Sequence, residues 1–260
     1  MHERRVHERI TVGAATLSVQ QRGTGETVVL IPSWARGAED FADLMQALAA
    51  AGFRTIAVNP RGVGGSTGLL DGLTLHTLAA DVAGVIEALD AAPAHVLGHG
   101  FGNRVARCLA ADRPDLVRTV ILLAAGGLVE PAREAMAALE RTLTEDLSEA
   151  EWLAAIRQSH FFAPSSDPMI WRRGWWPAVA AAQLAASRAT PLAEWWDAGT
   201  APMLVVQGLE DFVPPANGRA LRQTLGDRVR LIELARAGHA LLPEQPEAIV
   251  QAVLTFLRDH

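Results

Sequence analysis

Short apolar runs alternate along most of this chain with longer stretches in which apolar residues recur every three or four positions, a pattern that predicts strands and helices in turn. Val6 to Ile10 and Ala15 to Gln21 alternate apolar and polar residues and lie close enough to form a hairpin. Thr27 to Ile31 is a continuous apolar run, as expected of a strand covered on both faces. Asp40 to Ala51 places Phe41, Leu44, Met45 and Leu48 at helical spacing, with Gly52 where a glycine stops a helix. Arg54 to Asn59 reads as the next strand, Pro60 to Ser66 as a loop, and Leu75, Leu78, Val82, Val85, Ile86 and Leu89 as one face of a long helix. Ala94 to Leu97 is a strand that runs into Gly98-His99-Gly100-Phe101-Gly102, followed by a helix over Asn103 to Asp112 and a strand over Thr119 to Leu123.

From about Leu128 to Thr200 the strand pattern stops and only helical spacing remains, one helix being announced by the capping box of Ser148 and Glu151. Strands resume at Met203 to Gln207 and Arg230 to Leu234, and a closing helix sets Ile249, Val250, Val253, Leu254 and Leu257 on one face. The expected fold class is therefore α/β: a mostly parallel eight-stranded sheet flanked by helices, with a helical cap inserted after the sixth strand. Residues 1–127 and 201–260 form the core domain in this reading, and 128–200 the cap. The cap segment holds six of the seven tryptophans, Trp34 being the exception.

Composition narrows the chemistry. All 23 basic residues other than histidine are arginines, and tyrosine is absent. Without lysine there is no Schiff base to a carbonyl or to pyridoxal phosphate and no Walker-type lysine on a nucleotide phosphate. Without tyrosine no phenol serves as acid, base or oxyanion donor. A net charge of −6 with scattered arginines offers no basic stripe for nucleic acid. No apolar run approaches the ~20 residues of a membrane span, and Met1 to Arg5 carries no apolar leader, so the expectation is a cytoplasmic protein without a membrane partner. The single cysteine, Cys108, excludes an internal disulfide and a thiolate metal cluster and reads as packing. The oligomeric state stays open between monomer and homodimer.

A strand followed at once by Gly-x-x-x-Gly and a helix describes a nucleophile elbow, a turn so tight that its central residue is strained and neighbouring glycines must leave room. Gly98, Gly100 and Gly102 supply that frame. With it come the strand-loop Leu30-Ile31-Pro32-Ser33-Trp34, the Pro60-Arg61-Gly62 loop, Gly208-Leu209-Glu210-Asp211 after a late strand and Gly238-His239 after the last one, in the order elbow, Asp, His. On these features the chain resembles the α/β-hydrolase superfamily along essentially its whole length, its capped esterase, lactonase and carbon–carbon bond hydrolase members in particular.

The resemblance implies that Asp211 orients His239 as a general base and that the backbone N–H groups of Trp34 and Phe101 form an oxyanion pocket. The family's elbow serine is replaced by Gly100, which has no side chain to attack a carbonyl, so the usual acyl-enzyme route is closed at this residue. His99 is expected to point away as a packed histidine and Ser33 to hydrogen-bond in the oxyanion loop, at the edge of the substrate site. Trp171, Trp175 and Arg36 are the further substrate-binding candidates, the tryptophans biasing the pocket toward apolar or aromatic small molecules and Arg36 offering a carboxylate partner. Epoxide hydrolases, haloalkane dehalogenases and hydroxynitrile lyases of this fold need a tyrosine, an elbow aspartate or a lysine that this chain lacks. What remains is hydrolysis of a small ester, lactone or vinylogous ketone, or cofactor-free chemistry by a His–Asp base, with neither metal nor organic cofactor. Four explanations of Gly100 stay open: an engineered replacement of serine, water activated directly by His239, a non-hydrolytic base catalyst, and a ligand binder without catalysis.

Overall fold

A strand covered on both faces has to be apolar throughout, and an edge strand does not, and the eight strands sort by that rule. In the computed structural model, which describes residues 6–144 and 146–260, every residue is buried in β3 (Thr27–Ile31), β5 (Ala94–His99) and β7 (Met203–Gly208). β4 (Arg54–Val58) and β6 (Val117–Leu123) each leave one residue half-buried. The outer strands β1 (Val6–Val12), β2 (Ala15–Arg22) and β8 (Val229–Leu234) carry the alternating or mixed patterns. The sheet order is β1-β2-β4-β3-β5-β6-β7-β8. The β1–β2 hairpin and the β2–β4 pair are antiparallel, and every later pair is parallel. The carboxyl ends of β3, β5, β6, β7 and β8 thus share one end of the sheet, where open α/β sheets bind ligands.

Helices α1 (Ala42–Ala50), α2 (Leu75–Ala88) and α3 (Phe101–Asp112) follow β3, β4 and β5. Between β6 and β7 come α4 (Arg133–Arg141), α5 (Glu149–Gln158) and α6 (Pro177–Ala189) with short 3₁₀ turns, and after β7 and β8 come α7 (Ala216–Leu225), α8 (Leu241–Glu244) and α9 (Pro246–Arg258). The capping box closes as expected: Glu151 N–H donates to Ser148 Oγ at 3.3 Å and Ser148 N–H to the Glu151 carboxylate at 2.9 Å. α1 starts two residues later than its apolar spacing suggests because Ala38–Phe41 forms a 3₁₀ turn. β5 runs through His99 and α3 starts at Phe101, leaving Gly100 alone as the turn. Among the described residues no helix is long and apolar enough to cross a membrane. The Met1 to Arg5 segment, expected to carry no leader, lies outside them.

Segment 128–200 is fastened to the sheet domain by polar contacts that the apolar pattern could not reveal. His76 at the start of α2 points Nδ1 at Asp112 (2.7 Å) and Nε2 at Glu194 (2.8 Å). Cys108 Sγ lies 3.4 Å from the same Nδ1, and burial pushes its thiol up, away from thiolate. Glu194, first, and Asp112 raise the His76 pKa by accepting from its ring. A raised folded-state pKa stabilises the protein fully below the unfolded imidazole value of about 6.5 and ceases to do so as pH rises through the folded value. The ring is 40% exposed, so solvent screens the effect to a small one. The expected result is a stability difference between the protein and His76→Asn, followed by urea unfolding, that is largest near pH 5.5 and shrinks toward pH 8.5. A difference independent of pH would show that the ring acts by packing alone.

Candidate active site

At the end of β5 the chain must reverse into α3 within one residue. Gly100 does this at φ +52°, ψ −114°, a region that side-chain-bearing residues occupy only under strain. Its flanking glycines answer to space: a Cβ at Gly98 would lie 2.3 Å from the Gly102 carbonyl oxygen, and one at Gly102 would lie 2.2 Å from that of Ile31. The turn is fastened by Gly100 N–H donating to Leu123 O at 2.9 Å and by Asn103, whose side-chain amide donates to Gly100 O and, at 3.0 Å, to Ala124 O. Phe101 opens α3, so its N–H has no acceptor within the helix.

Asp211 follows β7 and His239 follows β8, both buried. His239 Nδ1 stands 3.0 Å from Asp211 Oδ1. The carboxylate also accepts from Val213 N–H at 2.8 Å and from Gln207 Nε2 at 2.9 Å, so each oxygen has a donor beside the imidazole and the group is held in one orientation. The His239 ring lies between Phe161 and Phe212, with centroids 4.9 and 5.0 Å away, and its backbone N–H donates to Phe161 O at 2.8 Å. His99 supports the same loop from behind, its Nε2–H donating to His239 O at 2.7 Å. Burial, then the neighbouring His239, pushes the His99 pKa down to about 3, so its ring is neutral. A packed, hydrogen-bonded His99 is what the sequence predicts; that it holds the loop of His239 could not be read there.

His239 Nε2 is turned toward the elbow. A Cβ at position 100 would lie 2.6 Å from that nitrogen and 2.2 Å from Ser33 Oγ, and Ser33 Oγ is itself 3.5 Å from Nε2. A cavity of about 620 Å³ opens over this point. Ser33, Trp34, Gly100, Phe101 and His239 form its floor, while Phe161, Phe212 and Trp195 supply aromatic walls. Its size suits a small organic molecule. Among the described residues the Trp34 N–H makes no backbone hydrogen bond. The Trp34 indole, by contrast, donates to Ala180 O at 2.9 Å, and Ala35 N–H to Gln183 Oε1 at 2.8 Å, which ties the Ser33 loop to α6.

The elbow follows β5, Asp211 follows β7 and His239 follows β8, and the family model described as alpha/beta hydrolase fold matches residues 26–246. The chain belongs to this family. It is 28% identical to the 2-(acetamidomethylene)succinate hydrolase of Mesorhizobium japonicum, over 97% of this chain and 95% of that protein. It is 27% identical to the non-heme chloroperoxidase of Streptomyces lividans, over 90% and 92% respectively. Among solved structures, Rv0554 of Mycobacterium tuberculosis superposes with a TM-score of 0.81 at 27% identity, covering 98% of this chain and 99% of that one.

Three candidates for the substrate site stand elsewhere in this α/β-hydrolase. Arg36 is buried and committed to Asp40, with bonds of 2.5 and 2.8 Å, and to Arg173 O at 2.8 Å. Its guanidinium lies 4.5 Å from the Trp171 ring and 4.7 Å from that of Trp175. This stack occupies both tryptophans, and neither they nor Arg36 line the cavity above Gly100. The reason is physical: a buried cation needs a carboxylate and aromatic faces close at hand, and Trp171 and Trp175, four residues apart, supply those faces. The tryptophans at the cavity are Trp34 and Trp195 instead. Arg104 also borders it, and its position one turn after Phe101 on α3 was the available signal.

Proposed function

We propose that this α/β-hydrolase hydrolyses small, largely apolar carboxylic esters, lactones or vinylogous ketones, with His239 as general base and Asp211 holding its tautomer. The observation that carries this is the buried His239–Asp211 pair, whose second ring nitrogen, Nε2, is turned toward Ser33 and the elbow, with His239 lining the aromatic-walled cavity. A carboxylate on Nδ1 fixes the proton there and supports the imidazolium that forms when Nε2 takes a proton. Trp34 and Phe101 line the same cavity, and their backbone N–H groups would stabilise the oxyanion. No metal or organic cofactor has a part in this chemistry. The test is a panel of p-nitrophenyl esters, γ- and δ-lactones and a vinylogous diketone, assayed with the protein and with His239→Ala. Saturable turnover that depends on His239 is expected. Binding of these compounds without turnover of any would overturn the reading in favour of a ligand binder.

A further inference from the structure

Parallel pairing of β3 with β5 sets Ile31 opposite Gly98. Two residues on, Ser33 and Gly100 follow these neighbouring strand ends at the same level. The missing side chain at 100 leaves room, and Ser33 Oγ fills it: the hydroxyl lies only 2.2 Å from the point where a Cβ of residue 100 would stand. Among the described residues it is the one side-chain hydroxyl within hydrogen-bond distance of His239 Nε2. The loop that carries it is locked, with α3 packed against the Ile31 and Pro32 carbonyls, Ser33 O accepting from Arg36 N–H at 3.1 Å, and Trp34 and Ala35 bonded to α6.

We propose that Ser33 is the nucleophile of this hydrolase, relocated from the elbow to the adjacent strand end and completing a Ser33–His239–Asp211 triad. This rests on the hydrolytic reading above. His239 Nε2 takes the Ser33 proton as Oγ bonds to the substrate carbonyl carbon, and the carbonyl π pair moves to oxygen, facing the Trp34 and Phe101 N–H groups. Collapse of that oxyanion breaks the bond to the leaving group, which receives the proton from His239. Water, deprotonated by His239, then attacks the acyl carbon, releases the acid and returns the proton to Ser33 Oγ. The 3.5 Å separation of Oγ and Nε2 is a resting distance that shortens when substrate closes the site. Glycine at 100 is part of the device, because a side chain there and the Ser33 hydroxyl cannot both face His239.

The decisive experiment is reaction of the wild-type protein with an alkyl fluorophosphonate, followed by peptide mapping. Oγ bonds to phosphorus as the P–F bond breaks, and fluoride and the serine proton depart. One adduct is expected, on Ser33, absent from Ser33→Ala and His239→Ala and much reduced in Gly100→Ala, whose methyl displaces the hydroxyl. Ester turnover is expected to fall about 10³-fold or more in Ser33→Ala. An adduct on another residue, or no adduct, overturns the proposal, and the wild-type reading needs no variant to fold. Turnover that depends on His239 yet survives Ser33→Ala overturns the Ser33 role and leaves the hydrolase reading standing. A Ser33 adduct with no turnover of the panel supports the nucleophile and overturns the substrate assignment instead.

Discussion

Replacing His239 with alanine is expected to lower kcat/KM on the best ester of the panel by about 10³- to 10⁴-fold. The neighbouring imidazole cannot substitute for it: His99 is neutral, buried and spent on the His239 carbonyl. Asp211→Asn is expected to cost a comparable factor for a different reason. An asparagine must turn an NH₂ toward the donors at Val213 N or Gln207 Nε2, or toward His239 Nδ1. In the last case Nδ1 becomes the acceptor and the proton moves to Nε2, which can then no longer act as a base. Because both changes disable one unit, the double variant should be no worse than the poorer single one. Retention of activity within tenfold by Asp211→Asn would show that the carboxylate does not set the tautomer.

Much of this site was legible in the amino-acid order because its parts are punctuated. Gly98 and Gly102 each answer to a steric demand that no other residue meets, Gly100 takes a positive-φ turn, and Asp211 comes three residues after β7, whose apolar run is unmistakable. What was not legible depends on lateral register. That Ser33 stands beside Gly100 follows from the pairing of β3 with β5, two strands separated in the chain by α1, β4 and α2. Arg36 reads in isolation as a loop cation free to hold a substrate; its burial between two tryptophans is set by residues more than 130 positions away. The same holds for the His76 contact with Glu194, since carboxylates at the surface of a helical segment carry no mark of their partner.

Arg107 shows how such a distant contact bears on the elbow, and its replacement is expected to have the largest effect on stability. The side chain is fully buried on α3, and burial, then neighbouring Arg104, lowers its pKa. It donates to Asn103 Oδ1 at 2.6 Å and to Gly126 O at 2.5 Å, and its guanidinium lies 4.5 and 4.9 Å from the rings of Trp195 and Trp196. Two effects oppose each other in Arg107→Ala. Removing a buried cation relieves its desolvation, but two buried acceptors lose their donor at about 1–3 kcal/mol each, and the space between the tryptophans empties. A guanidinium is the most weakly hydrated of the cationic side chains and here meets carbonyl oxygens and aromatic faces, so the loss of partners outweighs the relief. The expected cost is about 3 kcal/mol, or roughly 6–12 °C in thermal midpoint for a chain of this size. Arg107→Met, which refills the space without restoring the donors, should recover about half of it. Asn103 is the link to function, since its amide holds Gly100 O and Ala124 O together. Once its Oδ1 loses Arg107 the amide is free to turn, and turnover in Arg107→Ala should fall even at temperatures where the variant is fully folded. A methionine variant as stable as the parent would show that desolvation wins and that Arg107 serves the geometry of the elbow rather than the stability of the fold.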